Sequence, residues 1–559
     1  MKDNFNTVHY LIALLKAFGV KNIVSSPGMQ NSFFNATVQE DKDFRCFSVI
    51  DERSAAYVAT GIYFETCEPV VIACTGATAA RNYMSALTEA YYRRIPIIAI
   101  TFFNPTSNKY NLSPQFTDRS VSQNDIKYLS VELPLIKTDE DIVKTITFLN
   151  VALIEAFHQR KVVHINCPAN LDFGNLRKDL PINIWKTDYY SKDFDDVVKE
   201  LENTDFAVFI GSHERFSKEE EIAISEFAES WNIPVFCDHT SQYHGTNKIL
   251  ISKAFAMVRN LRNKPKLLID IGKISGEYNY TNVFKEARVW RVSSDGVYAG
   301  RSSRPLTKIF GCTEKYFFEK LKNTKCKKSD YYTKIEESIK NIKYPELPLC
   351  TALVCQNLAK FMPKNSSLHL AILNSLRNMN FFDLDSSISV NCNVGGFGID
   401  GPVSTLVGQS LVDPNKKCFG VIGDLAFFYD MNAIGQRDIK NNLRIIIVNN
   451  NKGVEFRIGD ELENLLENKT DILIAAGGHN KGGAIGWAKS CGFEYLQANT
   501  IDDFVKQIDY FCNGSFDKPV LFEVFTSTKD ERDGLHLMWK YNRDKFEEGL
   551  IKCYKTVVK

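Results

Sequence analysis

Val421-Ile422-Gly423-Asp424-Leu425, followed after one helix-length segment by Arg444-Ile445-Ile446-Ile447-Val448-Asn449-Asn450-Asn451, decides how this 559-residue chain is read. Two apolar runs of strand length each end on an oxygen-bearing side chain, Asp424 and Asn450. Between them Asp430 to Lys440 has room for a helix, so the segment predicts a strand-helix-strand crossover in a parallel sheet. Both polar residues then lie at the carboxyl edge of the strands, where open α/β sheets bind ligands. An acid and an amide so placed can share one divalent cation, because hard cations such as Mg²⁺ take oxygen ligands in near-octahedral geometry. Asparagine also makes turns after strands. The pairing of an Asp and an Asn at two strand ends favours the metal.

On both sides of this segment, short apolar runs alternate with helical stretches, the pattern of parallel α/β sheets. Lys21-Asn22-Ile23-Val24, Pro69-Val70-Val71-Ile72 and Pro96-Ile97-Ile98-Ala99-Ile100-Thr101 read as buried strands of a first domain, residues 1–185. After Pro181-Ile182-Asn183-Ile184-Trp185 a second α/β unit, 186–344, has strands at Phe206 to Ile210, Pro234 to Cys237, Leu267 to Ile271 and Val289 to Val292. Its end is marked by the lysine-rich stretch Lys322 to Lys343, read as a helix and linker. From about Pro345 a third unit, 345–559, carries the Asp424 and Asn450 segment. No internal repeat of fixed period is apparent.

A second pair of stretches adds to the first: Val49-Ile50-Asp51-Glu52-Arg53-Ser54-Ala55-Ala56 and Cys74-Thr75-Gly76-Ala77-Thr78-Ala79-Ala80. Together with Gly423-Asp424-Leu425 they resemble the thiamine diphosphate (ThDP) enzymes. Within that superfamily the chain is most similar to the 2-succinyl-5-enolpyruvyl-6-hydroxy-3-cyclohexene-1-carboxylate (SEPHCHC) synthases, which join a decarboxylated 2-oxoglutarate to isochorismate. The resemblance runs through Ser26-Pro27-Gly28, Gln115-Phe116-Thr117-Asp118, Asn374-Ser375-Leu376, Gly398-Ile399-Asp400-Gly401 and Ser404-Thr405. It implies three doubly wound parallel-sheet domains, named pyrimidine, central and diphosphate. ThDP and Mg²⁺ are the implied cofactors. It further implies a homodimer or homotetramer whose sites lie at subunit interfaces, with Glu52 and Asp424 of one site coming from different chains.

The resemblance also assigns roles. Glu52 is the catalytic acid that hydrogen-bonds a ring nitrogen of the aminopyrimidine; on position alone it is equally an acid opening a helix. Thr75 lies on the same side of the cofactor, and Gln115 faces the reacting intermediate. Asn374 and Ser375 match the diphosphate side. Ile399 is the bulky aliphatic residue under the bent cofactor, or simply core. Asp424 and Asn450, with Leu425 beside them, hold diphosphate and metal, and the main-chain oxygen of Lys452 completes the metal set. A one-residue shift would instead use Asn451 and Gly453.

Departures from the family fall on the substrate side. Ser-Pro-Gly-Ser-Arg appears as Ser26-Pro27-Gly28-Met29-Gln30, an arginine beyond Asn-Ser-Leu as Met379, Asn-Arg-Gly as Asn393-Val394-Gly395, and Ser-Lys-Arg as Ser275-Gly276-Glu277. Arginine is the bidentate partner of carboxylates. A pocket built on Ser26, Met29, Gln30, Met379 and Val394 is more neutral, so the donor, the acceptor or both are expected to differ. The expected function is a ThDP- and Mg²⁺-dependent carboligase that decarboxylates a 2-oxo acid donor and transfers the acyl unit to an unknown acceptor. The alternatives are a simple decarboxylase with His479, in Gly477-Gly478-His479-Asn480, as proton donor, and a non-catalytic binding protein that keeps the fold.

Composition sets bounds without choosing among these. Length allows about three domains of roughly 100–200 residues each. A net charge of +1 supplies no basic stripe for nucleic acid and no polybasic membrane patch. The 14 cysteines sit in apolar runs without a Cys-x-x-Cys pair and are expected as buried free thiols of a reducing compartment. No apolar run is long enough to span a bilayer and no signal peptide is apparent, so a cytoplasmic location is expected.

Overall fold

The computed structural model describes residues 5–106, 112–113, 123–171, 179–257, 264–276, 284, 286–294, 296, 305–322, 329–458, 471–480 and 482–542. The fold is α/β, built on three parallel sheets. The chain divides into two compact units, the first Met1–Phe194 with Glu286–Cys312, the second Asp195–Lys285 with Thr313–Lys559.

In the first unit, strands β1 (Asn22–Ser25), β2 (Arg45–Ser48), β3 (Val70–Thr75), β4 (Ile97–Phe103), β5 (Leu129–Glu132) and β6 (Val163–Pro168) form a parallel sheet in the order β2-β1-β3-β4-β6-β5. Alternate residues of one strand point to opposite faces. Val71 and Ala73 of β3 accordingly join one core with Ile98, Ile100 and Phe102 of β4. Val70, Ile72 and Cys74 join another with Ile97 and Ala99. Both faces are covered, which is why the strands read as continuous apolar runs. The strands β7 (Asp188–Tyr190), β12 (Arg288–Val292) and β13 (Leu306–Phe310) also belong to this unit and pair in parallel, β12 with β13 and β13 with β7.

In the second unit, β8 (Phe206–Ile210), β9 (Val235–Cys237), β10 (Lys248–Leu250) and β11 (Leu267–Ile271) run in the order β10-β9-β8-β11. Further along, β14 (Ser367–Leu370), β15 (Ser389–Cys392), β16 (Cys418–Gly423), β17 (Leu443–Asn449), β18 (Glu494–Ala498) and β19 (Val520–Phe525) form the sheet β15-β14-β16-β17-β19-β18. Here too one face carries Phe419, Val421, Ile446 and Val448, and the other Ile422, Ile445 and Ile447.

Three expectations change. The helix after Gly423 begins at Asp424 and ends at Tyr429, and Asp430 to Lys440 holds only a 3₁₀ turn, Met431–Gly435. Asp430 caps the end of that helix, and its carboxylate accepts the backbone N–H and hydroxyl of Ser404, at 2.6 and 2.5 Å. The cysteines are free thiols among the described residues, but Cys46 and Cys67 are exposed rather than buried. Cys67 ends the helix Glu52–Thr66 in a left-handed conformation, which turns it out of the core. The third concerns Met379: its side chain is wholly buried in the core under β14 and β16, so it packs the domain and offers no pocket surface. No helix among the described residues is long and apolar enough to cross a membrane.

Candidate active site

The parallel register sets Gly423 of β16 opposite Val448 of β17, so Asp424 and Asn449 leave the sheet side by side, with Asn450 one residue further. Asp424 is buried as the first residue of its short helix, and Leu425 lies 3.3 Å from where a Cβ on Gly453 would sit. The two strand-end segments thus meet. Asn450 Oδ1 is shielded from solvent and has no hydrogen-bond partner among the described residues. A buried carbonyl oxygen is seldom left so, and its lone pairs suit a hard cation. Asn451 is different: its Oδ1 accepts the Asn480 N–H at 3.2 Å and its main-chain oxygen accepts the Gly478 N–H at 3.0 Å. No cluster of three or more His, Cys, Asp or Glu exists among the described residues. A set of one carboxylate, one amide and one main-chain oxygen contains no such cluster.

The asparagine turn is laced to residues 471–480. Lys452 Nζ donates to Asp471 at 2.7 Å, Arg457 Nε donates to the other oxygen at 2.7 Å, and the Gly453 N–H reaches the Ala475 carbonyl. His479 Nε2 stands 3.0 Å from Asp424 Oδ2, with its ring edge-on to Phe428. This histidine is engaged with the strand-end acid.

Two carboxylates that the sequence reading missed hold this end together. Glu523 of β19 is completely buried; it accepts Asn449 Nδ2 at 2.7 Å, the Ala484 N–H at 2.8 Å and the Tyr495 hydroxyl at 2.7 Å. Glu531 accepts the Thr351 N–H and hydroxyl, the Thr526 hydroxyl at 2.9 Å and Asn374 Nδ2 at 3.1 Å. Burial pushes the Glu531 carboxyl up, and these neutral donors pull the other way. Asn374 is thereby fixed, and its own oxygen accepts Asn378 Nδ2 at 2.9 Å. Ser375 beside it is buried. The signal available in the sequence was a lone acid inside Val520-Leu521-Phe522-Glu523-Val524-Phe525. An acid in a strand buried on both faces needs several partners.

Ile399 lies half-buried in the loop after β15 and packs against both cores of the third sheet. Gly398 next to it lies close to Asp400, whose Oδ1 would sit 2.2 Å from a Cβ at that position and would have to swing aside.

In the first unit, Glu52 is half-buried at the start of the helix Glu52–Thr66. Asp51 caps that helix, accepting the Arg53 N–H at 3.0 Å and the Ser54 hydroxyl at 2.9 Å. Ser26-Pro27-Gly28, after β1, is pressed onto Thr75, at the end of β3, so closely that a Cβ on Gly28 would lie 2.2 Å from Thr75 Cγ2. The Gly76 N–H points to Gln30 Oε1 at 3.4 Å. Burial pushes the Cys74 thiol up to about 12, with the Glu52 charge adding to it. Ser26 and Gln30 are buried, whereas Met29 is exposed. Gln115 and Glu277 lie outside the described residues.

Residues 5–130 match the family model described as thiamine pyrophosphate enzyme, N-terminal TPP binding domain. Over 557 residues the chain is 30% identical to the SEPHCHC synthase of Bacteroides fragilis, covering 95% of this chain and 98% of that one. The chain belongs to the SEPHCHC synthase family. It is accordingly a ThDP-dependent enzyme. The SEPHCHC synthase of Bacteroides thetaiotaomicron is likewise 30% identical over 560 residues, covering 95% of this chain and 98% of that one. Among solved structures, a thiamine diphosphate-dependent 4-hydroxybenzoylformate decarboxylase from Rhodococcus jostii RHA1 is 17% identical, with a TM-score of 0.42 and coverage of 93% of this chain and 99% of that one.

A Cβ on Gly276 would lie 2.1 Å from Leu376 Cδ2 and 3.3 Å from Val394 Cγ1, so the three positions pack directly against one another. Leu376, Met379 and Val394 belong to one buried cluster. The arginine that remains nearby, Arg377, is held bidentately by Glu455 at 2.8 and 2.9 Å.

Proposed function

We propose that this chain is a Mg²⁺-dependent decarboxylating carboligase whose donor, acceptor or both differ from those of the SEPHCHC synthases. The observation that carries the altered specificity is the direct packing of Gly276 against Leu376 and Val394. Two positions that bear cations in the family here close on each other as apolar surface. An anionic carboxylate without a cationic partner in such surroundings binds poorly.

For the cofactor, the donor set supports Asp424, Asn450 and the Lys452 main-chain oxygen as metal ligands, with Asn450 preferred to Asn451 because its Oδ1 has no other partner. Asn374, Ser375 and Leu425 would line the diphosphate, and Ile399 would fill the space under the rings. Bound ThDP supplies the electron sink for loss of carbon dioxide from a 2-oxo acid. Glu52 would hold a proton at the pyrimidine end beside Thr75, and Gln115 would face the donor. The contact of His479 with Asp424 supports a part in fixing the metal end rather than protonating product.

A homo-oligomer is supported by exposed apolar side chains around Glu52: Phe47, Ile50, Tyr57, Val58 and Phe64. Such patches mark interfaces. Cytoplasmic location follows from the same reading.

The test is carbon dioxide release from a panel of 2-oxo acids, 2-oxoglutarate and pyruvate included, with ThDP and Mg²⁺, with and without isochorismate, and with Glu52→Gln as control. Turnover of a neutral-tailed acid, lost by at least about 100-fold in the control, is expected. Efficient turnover of 2-oxoglutarate with isochorismate would sink the altered specificity.

A further inference from the structure

The carboxyl edge of the third sheet is the candidate active site; its opposite edge carries a second concavity. Lys416 and Lys417 immediately precede β16, and Lys364 lies shortly before β14. With Arg215 they line a cavity of about 480 Å³, which also touches Asp413 and Asn415. That size suits a small metabolite, since ligand sites are typically about 300–1,000 Å³. Four cations face one carboxylate in a chain whose net charge is only +1, so the excess is local.

The surrounding bonds compensate that charge only in part. Asp413 Oδ1 is turned back to the Asn415 N–H at 2.9 Å. Lys364 has Asp385 at 3.3 Å. Among the described residues, Lys416 and Lys417 have neutral acceptors, the Ser389 hydroxyl at 3.4 Å and the Cys512 carbonyl at 2.9 Å. Burial and the charge of Arg444 both press the Lys417 ammonium toward its neutral form. Arg444 is itself buried against Phe516, and its guanidinium donates to the main-chain carbonyls of Asn441 and Leu443. A bound anion would relieve this crowding of positive charge.

We propose that this cavity is a second ligand site, taking a small polyanion that bears phosphate or several carboxylates. The Arg215 fork and the lysine ammonium groups are the donors for such groups. The site is separate from the cofactor: β16 alone, at about 3.3 Å per residue, sets Lys417 roughly 20 Å from Asp424. The proposal therefore stands whatever substrate the active site takes.

Isothermal titration of the ThDP- and Mg²⁺-loaded enzyme, once with inorganic phosphate and once with tricarballylate, tests it. Saturable one-to-one binding is expected with at least one probe. In the Arg215→Gln/Lys416→Gln double variant that binding should weaken by at least about tenfold, two charge-assisted bonds being lost. Both positions lie outside the catalytic end, and unchanged ThDP affinity and melting temperature show that the variant is folded. Binding of phosphate alone identifies a phosphorylated ligand, binding of tricarballylate alone a polycarboxylate. No saturable binding of either probe, or equal binding by the variant, overturns the proposal.

Discussion

The first and third sheets have the same strand order, β2-β1-β3-β4-β6-β5 and β15-β14-β16-β17-β19-β18, yet their carboxyl edges are finished in opposite ways. In the third, Asp424 is buried and braced by His479, Asn449 is held by Glu523, and Asn374 by Glu531. In the first, Glu52 is half-buried among exposed apolar side chains, Ile50 being 86% exposed. Topology supplies equivalent places at strand ends; the side chains decide what each place does. One edge is finished within its own chain. The other leaves large apolar side chains exposed.

The largest effect expected from this contrast is on assembly. Ile50→Asp combined with Tyr57→Asp puts two charges on that surface and should yield monomers in sedimentation, with carbon dioxide release reduced by at least about 100-fold, since buried interface aromatics are each worth about 2 kcal/mol or more. An oligomeric, fully active variant would break the comparison.

Next in size is the braced edge. Glu531→Ala leaves the Thr351, Thr526 and Asn374 donors without their acceptor and should destabilise the second unit by about 2–4 kcal/mol in urea unfolding. It should also weaken ThDP binding. A loss below about 1 kcal/mol would mean that the bracing is dispensable.

The smallest effect is one of pH, and it too belongs to the second unit. Burial holds His239 at about 3 and His369 at about 4, against an ordinary 6.5, so both are neutral in the fold. Unfolded, they bind protons below about 6.5. Their contribution is therefore fully present above that pH and is lost as the pH falls toward 3–4. His239, whose ring contacts the Phe382 carbonyl at 2.9 Å, contributes on the order of 1 kcal/mol for each pH unit lost in that window. Unfolding free energy measured between pH 7 and pH 5 should fall, and His239→Gln should make the slope shallower by about one proton. Equal slopes in the two proteins would rule the histidine out.

What could be read from the sequence follows the same division. Leu267 to Ile271 and Phe206 to Ile210 were legible to the residue, because strands buried on both faces are uninterrupted apolar runs. The strand ends before Asp424 and Asn450 were legible because a polar residue interrupts each apolar run there. Glu531 was not, since its partners Thr351 and Asn374 are remote in sequence and nothing local marks an acid as buried. Met379 was misread for the converse reason: a position known to bear a cation elsewhere says where a side chain starts, not whether it points inward. The shared strand order of the two sheets left no fixed period, because equivalent strands are joined by loops of different length.

The solitary oxygen of Asn450 has a consequence for the lifetime of the chain. A buried acceptor without a partner penalises the folded state by about 1–3 kcal/mol, and whatever binds it returns that amount. If Asn450 holds the proposed cation, chains starved of cation and cofactor would open more often than loaded ones. Open chains are the ones that proteases remove. On the proposed metal site, the abundance of this enzyme in a cell is thus expected to follow the supply of what it binds.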